Sequence, residues 1–183
     1  MRCFAALELP APVRRHLART IEPLRRFPLR WVPEDQLHLT LWFAGEFDPS
    51  HRDELLAMVR DVELPAVELQ LAGLSHFPPK GMPRVVHAAV GGDVEPVADL
   101  ADQLTAIGER FDVPRERRSF VAHVTLGRLK SPFGALALLD QLEQVGATLN
   151  PKPFAVPALV VYESRLMPTG PLHRPLLQRA LPQ

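Results

Sequence analysis

The apolar positions of this chain alternate between the two periods that mark strands and helices. Arg2–Leu9 is a largely apolar run that reads as a strand and ends at Pro10 and Pro12. Val13, Leu17, Ile21 and Leu24 then recur at helical spacing, with Pro23 ending or kinking that helix. "RWVPEDQ" at 30–36 reads as a loop, and His38–Ala44 as a strand. Asp48 and Pro49 suit the N-cap and first position of a helix through about Val62. Val67, Leu69 and Leu71 alternate with Glu68, Gln70 and Ala72, the period of a strand. "HFPPKGMP" is a loop, Arg84–Val90 a strand, and "GGD" its end. Val97, Leu100, Leu104, Ile107 and Phe111 line one face of a helix. After the polar loop "PRERRS", Val121–Leu129 reads as a strand, and Ser131 with Pro132 opens a helix through about Val145. Phe154–Ser164 and His173–Leu181 close the chain as strands, Pro157 placing the former at a sheet edge or a bulge.

One phrase occurs twice on this pattern, "HLTL" at 38–41 and "HVTL" at 123–126. From composition alone, roughly 0.04 matches to His-x-Thr-Leu are expected, so accident is a poor account of two. Strand, loop and helix surround each copy in a similar order, and the copies lie near half a chain apart. The expected architecture is therefore α+β and bilobal: one domain, 1–183, of two similar intertwined lobes. Two mainly antiparallel sheets face a central groove, with helices outside and one phrase in each lobe.

Composition narrows the partners. The chain has 183 residues, 46% of them hydrophobic, with 21 basic and 21 acidic side chains. A net charge of zero without a basic block does not indicate a broad grip on long nucleic acid, and leaves a short or end-specific one. Among the basic residues, 18 are Arg and 3 are Lys. An Arg fork suits phosphate, yet coding bias explains this ratio as well. Cys3 stands alone, so no internal disulfide forms. Neither a signal peptide nor a transmembrane run is visible, which makes the cytoplasm the expected compartment and a membrane an unexpected partner. No obligate protein partner is evident.

The repeated phrase carries the candidate chemistry. Residues two apart on a strand share a face, so His38 projects with Thr40 and His123 with Thr125, each pair backed by aliphatic residues. In-line displacement at phosphorus needs a proton taken from the incoming oxygen and one given to the leaving oxygen, on opposite sides of the phosphorus. Two opposed imidazoles meet that need near neutral pH, and two hydroxyls suit the non-bridging oxygens. The rival use of paired His is a metal, but the chain has no His-x-His, no HExxH and no Cys pair, so neither metal nor cofactor is expected. There is no Gly-x-Ser-x-Gly for a serine hydrolase. Trp42 and Phe43 are both candidates to stack a base; strict alternation puts Trp42 on the His38 face, the better placed of the two, and Phe43 with Leu39 and Leu41 toward the core. His16, His51, His76, His87 and His173 have no paired context.

These residues resemble the two-histidine (2H) phosphoesterases, and within them the RNA 2′,3′-cyclic phosphodiesterases, also called 2′–5′ RNA ligases. "RCFAALELP" is similar to the family's opening strand, "RWVPEDQLHLTLWFAGE" and "RRSFVAHVTLGR" to its paired motifs, and "ESRLMPTGP" to its C-terminal signature. Ala122 departs from the Pro common before the second His. The resemblance implies a pseudo-twofold, metal-free enzyme that opens a terminal 2′,3′-cyclic phosphate on RNA to a 2′-phosphate. It carries over His38, Thr40, His123 and Thr125, and Arg128 as a phosphate contact. On a regular strand Arg128 would point away from Thr125, unless Gly127 marks a bulge. We assign His38 as general acid and His123 as general base. The rivals are a related enzyme acting on a small nucleotide or an ADP-ribose cyclic phosphate, and a module that binds RNA ends without turnover.

Overall fold

The computed structural model describes residues 1–131, 134–150, 152–168 and 170–183. Among them the chain runs β1 (Arg2–Glu8), α1 (Ala11–Thr20), β2 (Leu29–Trp31), β3 (His38–Glu46) and α2 (Arg52–Asp61). It continues through β4 (Glu68–Phe77), β5 (Val85–Gly92), α3 (Val94–Glu109) and β6 (His123–Leu129). It ends with α4 (Ala135–Gly146), β7 (Phe154–Ala155), β8 (Ala158–Met167) and β9 (Gly170–Ala180).

The strands form one path in the order β7-β4-β5-β6-β3-β1-β8-β9, with β2 also paired to β6. The pairings between them are antiparallel. The two sheets expected from the repeat are thus halves of one curled surface. They meet at a single registered pair, Leu39 opposite Val124. Both side chains are fully buried, and they belong to the same apolar cluster as the inner faces of the helices. Burial of this kind, about 25 cal/mol per Å² of apolar surface, drives the halves together.

The helices cover the back of the sheet. Gly108, at the end of α3, lets the helix lie on the Trp42 ring of β3: a Cβ there would stand 2.5 Å from Cζ2. Gly146 plays the same part in α4, where a Cβ would stand 2.7 Å from the Leu74 backbone nitrogen of β4. Cys3 is buried in the core, and burial pushes its thiol up to about 11, so it is an inert hydrophobe.

Three local expectations change. The "RWVPEDQ" loop begins inside β2, because Leu29–Trp31 completes the hydrogen bonding of Leu129, Arg128 and Gly127 on β6. Pro157 interrupts its strand: the part before it, β7, is an edge strand, and the part after it is interior. It breaks Phe154–Ser164 into β7, which pairs with β4, and β8, which sits between β1 and β9. A residue without an N–H fits the crossing between the halves, where no ladder bond is needed. Helix α2 starts later than expected, after a 3-10 turn at Pro49–His51 that Asp48 caps by accepting from the Ser50 N–H at 2.9 Å. Pro132, expected to open α4, lies outside the described residues, and Gly134 stands before the helix instead.

Gly108→Ala sets a gain in helix propensity of about 1 kcal/mol against an overpacking cost of about 1–3 kcal/mol. With Trp42 fixed below it, the second effect should win, and the urea midpoint should fall. A midpoint that rises would show that α3 can lift off the ring freely.

Candidate active site

The Leu39–Val124 pair sets the site. In an antiparallel ladder this register puts His38 opposite Thr125 and Thr40 opposite His123, all four on the face away from the core. The two histidines are then diagonal neighbours, a relation that spans about 7–8 Å in a regular ladder. All four side chains are half-buried on this face, while Leu39, Leu41, Val124 and Leu126 behind them are buried.

Both rings are fixed in the same way. His38 Nδ1–H donates to the Gln36 carbonyl at 2.7 Å, and His123 Nδ1–H donates to the Val121 carbonyl at 2.7 Å. Each bond reaches two residues back along the chain. Each holds one tautomer and leaves Nε2 free for proton transfer. Burial lowers the pKa of His38 to about 4, against the opposing pull of the Gln36 carbonyl, with His173 and His123 lowering it further. Burial also lowers His123, opposed by the Val121 carbonyl and helped by the Arg128 charge. Without a bound anion, both rings are neutral at pH 7.

A bulge at the last residue of each phrase decides which neighbours reach the groove. Along β3, Thr40 pairs with Ala6 and Trp42 with Ala5, leaving Leu41 without a partner. Along β6, Thr125 pairs with His87 and Gly127 with Val86, leaving Leu126 without one. An extra residue shifts the alternation by one. Trp42 therefore turns to the core, where it is 6% exposed against α3, and Phe43 emerges at 52%. This reverses the expectation from strict alternation: Trp42 is a packing residue, and Phe43 shares the face of His38. Phe43 lies 6.3 Å from the Phe4 ring, with the Arg2 guanidinium over it. The matching bulge brings Arg128, expected to point away, to the face of Thr125. The bulged residue is Leu126 rather than Gly127. Gly127 is small because a Cβ would come within 3.1 Å of Leu29 and Trp31.

Further residues join the site across strands. Phe4 stacks on His38 at 5.0 Å, and His173 meets that ring edge-on at 5.7 Å. Phe77 and His87 meet the His123 ring at 4.9 and 5.2 Å, and His87 itself lies flat on Phe77 at 4.1 Å. Burial, then the nearby His123, lowers His87 to about 4. Sequence spacing could not find His87 and His173, because neither stands in a phrase and each reaches the site from a different strand. Beside His38 opens a polar cavity of ≈ 160 Å³, lined in part by Glu8, Arg14, Gln36, Tyr162 and His173. Another cavity, ≈ 290 Å³ and mostly apolar, lies away from this face between Val13, His16, Leu71 and Phe154. His16, given no role above, accepts the Asn150 N–H there at 2.9 Å. Among the described residues, no group of three or more His, Cys, Asp or Glu is arranged to hold a metal. No described helix is long and apolar enough to cross a membrane.

Residues 12–166 match the profile of the 2′-5′ RNA ligase superfamily. The chain belongs to that superfamily. A relative from Thermotoga maritima, named RNA 2′,3′-cyclic phosphodiesterase, is 30% identical over 97% of this chain and 94% of its own. One of the same name from Thermus thermophilus is 32% identical, over 94% of this chain and 86% of its own. Among solved structures, a Thermus thermophilus protein superposes with a TM-score of 0.79 at 28% identity, covering 99% of this chain and 98% of the other. LigT of E. coli in complex with 3′-AMP shares the fold, with a TM-score of 0.78 at 24% identity over 100% of this chain and 98% of that one. This chain has the 2H phosphoesterase fold, with a bulge at Leu41 in β3 and at Leu126 in β6.

The bulges give opposite fates to neighbouring aromatics. Trp42→Ala should cost about 3–5 kcal/mol of stability, while Phe43→Ala should stay within about 0.5 kcal/mol, as an exposed change does. Chemical denaturation of the two variants decides this. Equal losses would mean that Leu41 is not bulged in solution.

Proposed function

We propose that this protein hydrolyses the terminal 2′,3′-cyclic phosphate of RNA to a 2′-phosphate, using His38 and His123 without a metal. One observation carries the reading: two histidines of the same tautomer, with free Nε2 atoms, share one groove with two threonines. The relatives named RNA 2′,3′-cyclic phosphodiesterase support the substrate. We infer a cytoplasmic setting, in keeping with the lone cysteine.

In the proposed step, a water oxygen attacks phosphorus while His123 Nε2 takes its proton. The P–O3′ bond breaks, and the His38 imidazolium gives its Nε2 proton to O3′. The product has a free 3′-hydroxyl and a 2′-phosphate, and the proton has moved from His38 to His123. His38 is the more deeply buried of the two, and an imidazolium destabilised by burial is the stronger acid. Thr40, Thr125 and Arg128 hold the non-bridging oxygens. Phe43 offers an apolar face for the base. A 5′-hydroxyl in place of water would form a 2′–5′ linkage, inefficiently, because water is abundant and RNA ends are dilute.

The direct test is turnover of RNA ending in a 2′,3′-cyclic phosphate in excess EDTA. Wild type should stay active. His38→Ala and His123→Ala should each lose about 10²–10⁴-fold and remain folded. Loss in EDTA with recovery on a divalent ion would favour metal chemistry, and a mainly 3′-phosphate product would exchange the acid and base.

The pH dependence follows from the two lowered pKa values. The free enzyme is active with one ring protonated and one neutral. Burial lowers both rings from the ordinary value of 6.5, so kcat/KM should peak below that pH and fall as the last proton leaves. The bound phosphate anion favours imidazolium, so the alkaline limb of kcat should lie at higher pH. Profiles of kcat and kcat/KM that coincide, both peaking above pH 7.5, would contradict this electrostatic account.

A further inference from the structure

The face that carries both His-Thr pairs does not end with them. Strand β2 lies along β6 in line with β3, and its ladder puts Arg30 directly opposite Arg128. Residues directly opposite share a face. Arg128 is on the Thr125 face after the Leu126 bulge, so Arg30 is there too. The next position on that face is Lys130. Its N–H donates to the Pro28 carbonyl at 3.3 Å, which keeps the ladder in register past the end of β6. Arg30, Arg128 and Lys130 are all exposed, and none makes an ion pair among the described residues. Like charges directly opposite each other destabilise a sheet. Three aligned cations with no ion pair among the described residues suit an anion that arrives from outside.

The spacing identifies that anion. From Thr125 to Arg128 to Lys130, the bulge makes each step one two-residue repeat of a strand, about 7 Å. That is close to the separation of successive phosphates along an extended single strand. The cations are therefore spaced for a chain of phosphodiesters that begins at the reacting phosphate.

We propose that Arg30 and Lys130, continuing from Arg128, form a track for the backbone of single-stranded RNA on the 5′ side of the terminal nucleotide. This deepens the phosphodiesterase reading and rests on it for the position of the terminal phosphate. It also fits a chain with no net charge: a short local track grips the end of a strand without attracting long nucleic acid broadly. An oligonucleotide end is then the preferred substrate over a cyclic mononucleotide, which reaches the His-Thr pairs but not the track.

The test compares wild type with the double variant Arg30→Gln/Lys130→Gln. A control, Arg19→Gln/Arg60→Gln, removes the same charge from α1 and α2. Two measurements are made. One is kcat/KM for a cyclic mononucleotide and for a short RNA ending in a 2′,3′-cyclic phosphate. The other is equilibrium binding of a short RNA ending in a 2′-phosphate, across a range of salt. The track variant should keep its mononucleotide activity and lose roughly five- to tenfold on the oligonucleotide, as expected for two exposed charge contacts. Its log–log salt slope should flatten by about 1.4, or about 0.7 for each lost phosphate contact. The control should keep the wild-type slope. Equal slopes for track and control variants would overturn the proposal, as would an equal loss on both substrates. If the wild type turns over neither substrate, the phosphodiesterase reading fails, while the binding slopes still decide whether RNA follows the track.

Discussion

The contact of Leu39 with Val124 carries the rest of this structure. It is the one registered pair between β3 and β6, and both side chains are completely buried. Both His-Thr pairs stand on the other face of the same two strands. Because side chains alternate, an apolar residue buried between each His and its Thr fixes the two polar groups outward. Because the strands are antiparallel, one such pair fixes the second phrase against the first. The core thus positions the groove directly, and no loop has to fold back to assemble it.

Two departures from ideal geometry complete the arrangement. The bulges at Leu41 and Leu126, the last residue of each phrase, shift the alternation by one. Each therefore buries two consecutive residues, Leu41 with Trp42 and Leu126 with Gly127. The following residue is exposed beside the threonine, and it is Phe43 in one half and Arg128 in the other. The pseudo-twofold relation thus fixes where the side chains stand, while sequence makes one wall aromatic and the other cationic. The buried partners differ for a packing reason: α3 offers Gly108 to Trp42, whereas Gly127 lies under Trp31 and Leu29. The same shift that brings Arg128 into the groove aligns Arg30 beside it, so the proposed RNA track has the same origin as the site.

The proposed proton chemistry depends on a third local device. A carbonyl two residues upstream accepts from Nδ1 of each histidine. A hydrogen bond this close in sequence survives small motions between the halves. Burial then keeps the rings neutral, as His87 and His173 beside them also are at pH 7. A second positive charge in this cluster would be costly at the low effective dielectric of a partly buried site. An anion in the groove would change that balance, so in the proposed reaction substrate binding and the charging of His38 are coupled.

Much of this was legible in the chain. The repeated phrase named the four polar groups of the groove, and apolar periodicity placed the helices and most of the strands. These signals are local: a strand face or helix face is written in residues two, three or four apart. The rest depended on contacts that no local spacing records. A bulge depends on which strand lies alongside, so alternation alone put Trp42 in the groove and Phe43 in the core. β2 was hidden in a loop because three residues make a strand only when β6 supplies their partners. His87 and His173 reach the rings from β5 and β9, strands that enter the site only through the sheet order. Sequence by itself determined which groups face outward within each phrase, because alternation is a property of one strand. Tertiary structure alone decided which groups meet across strands, because register and bulges are properties of two.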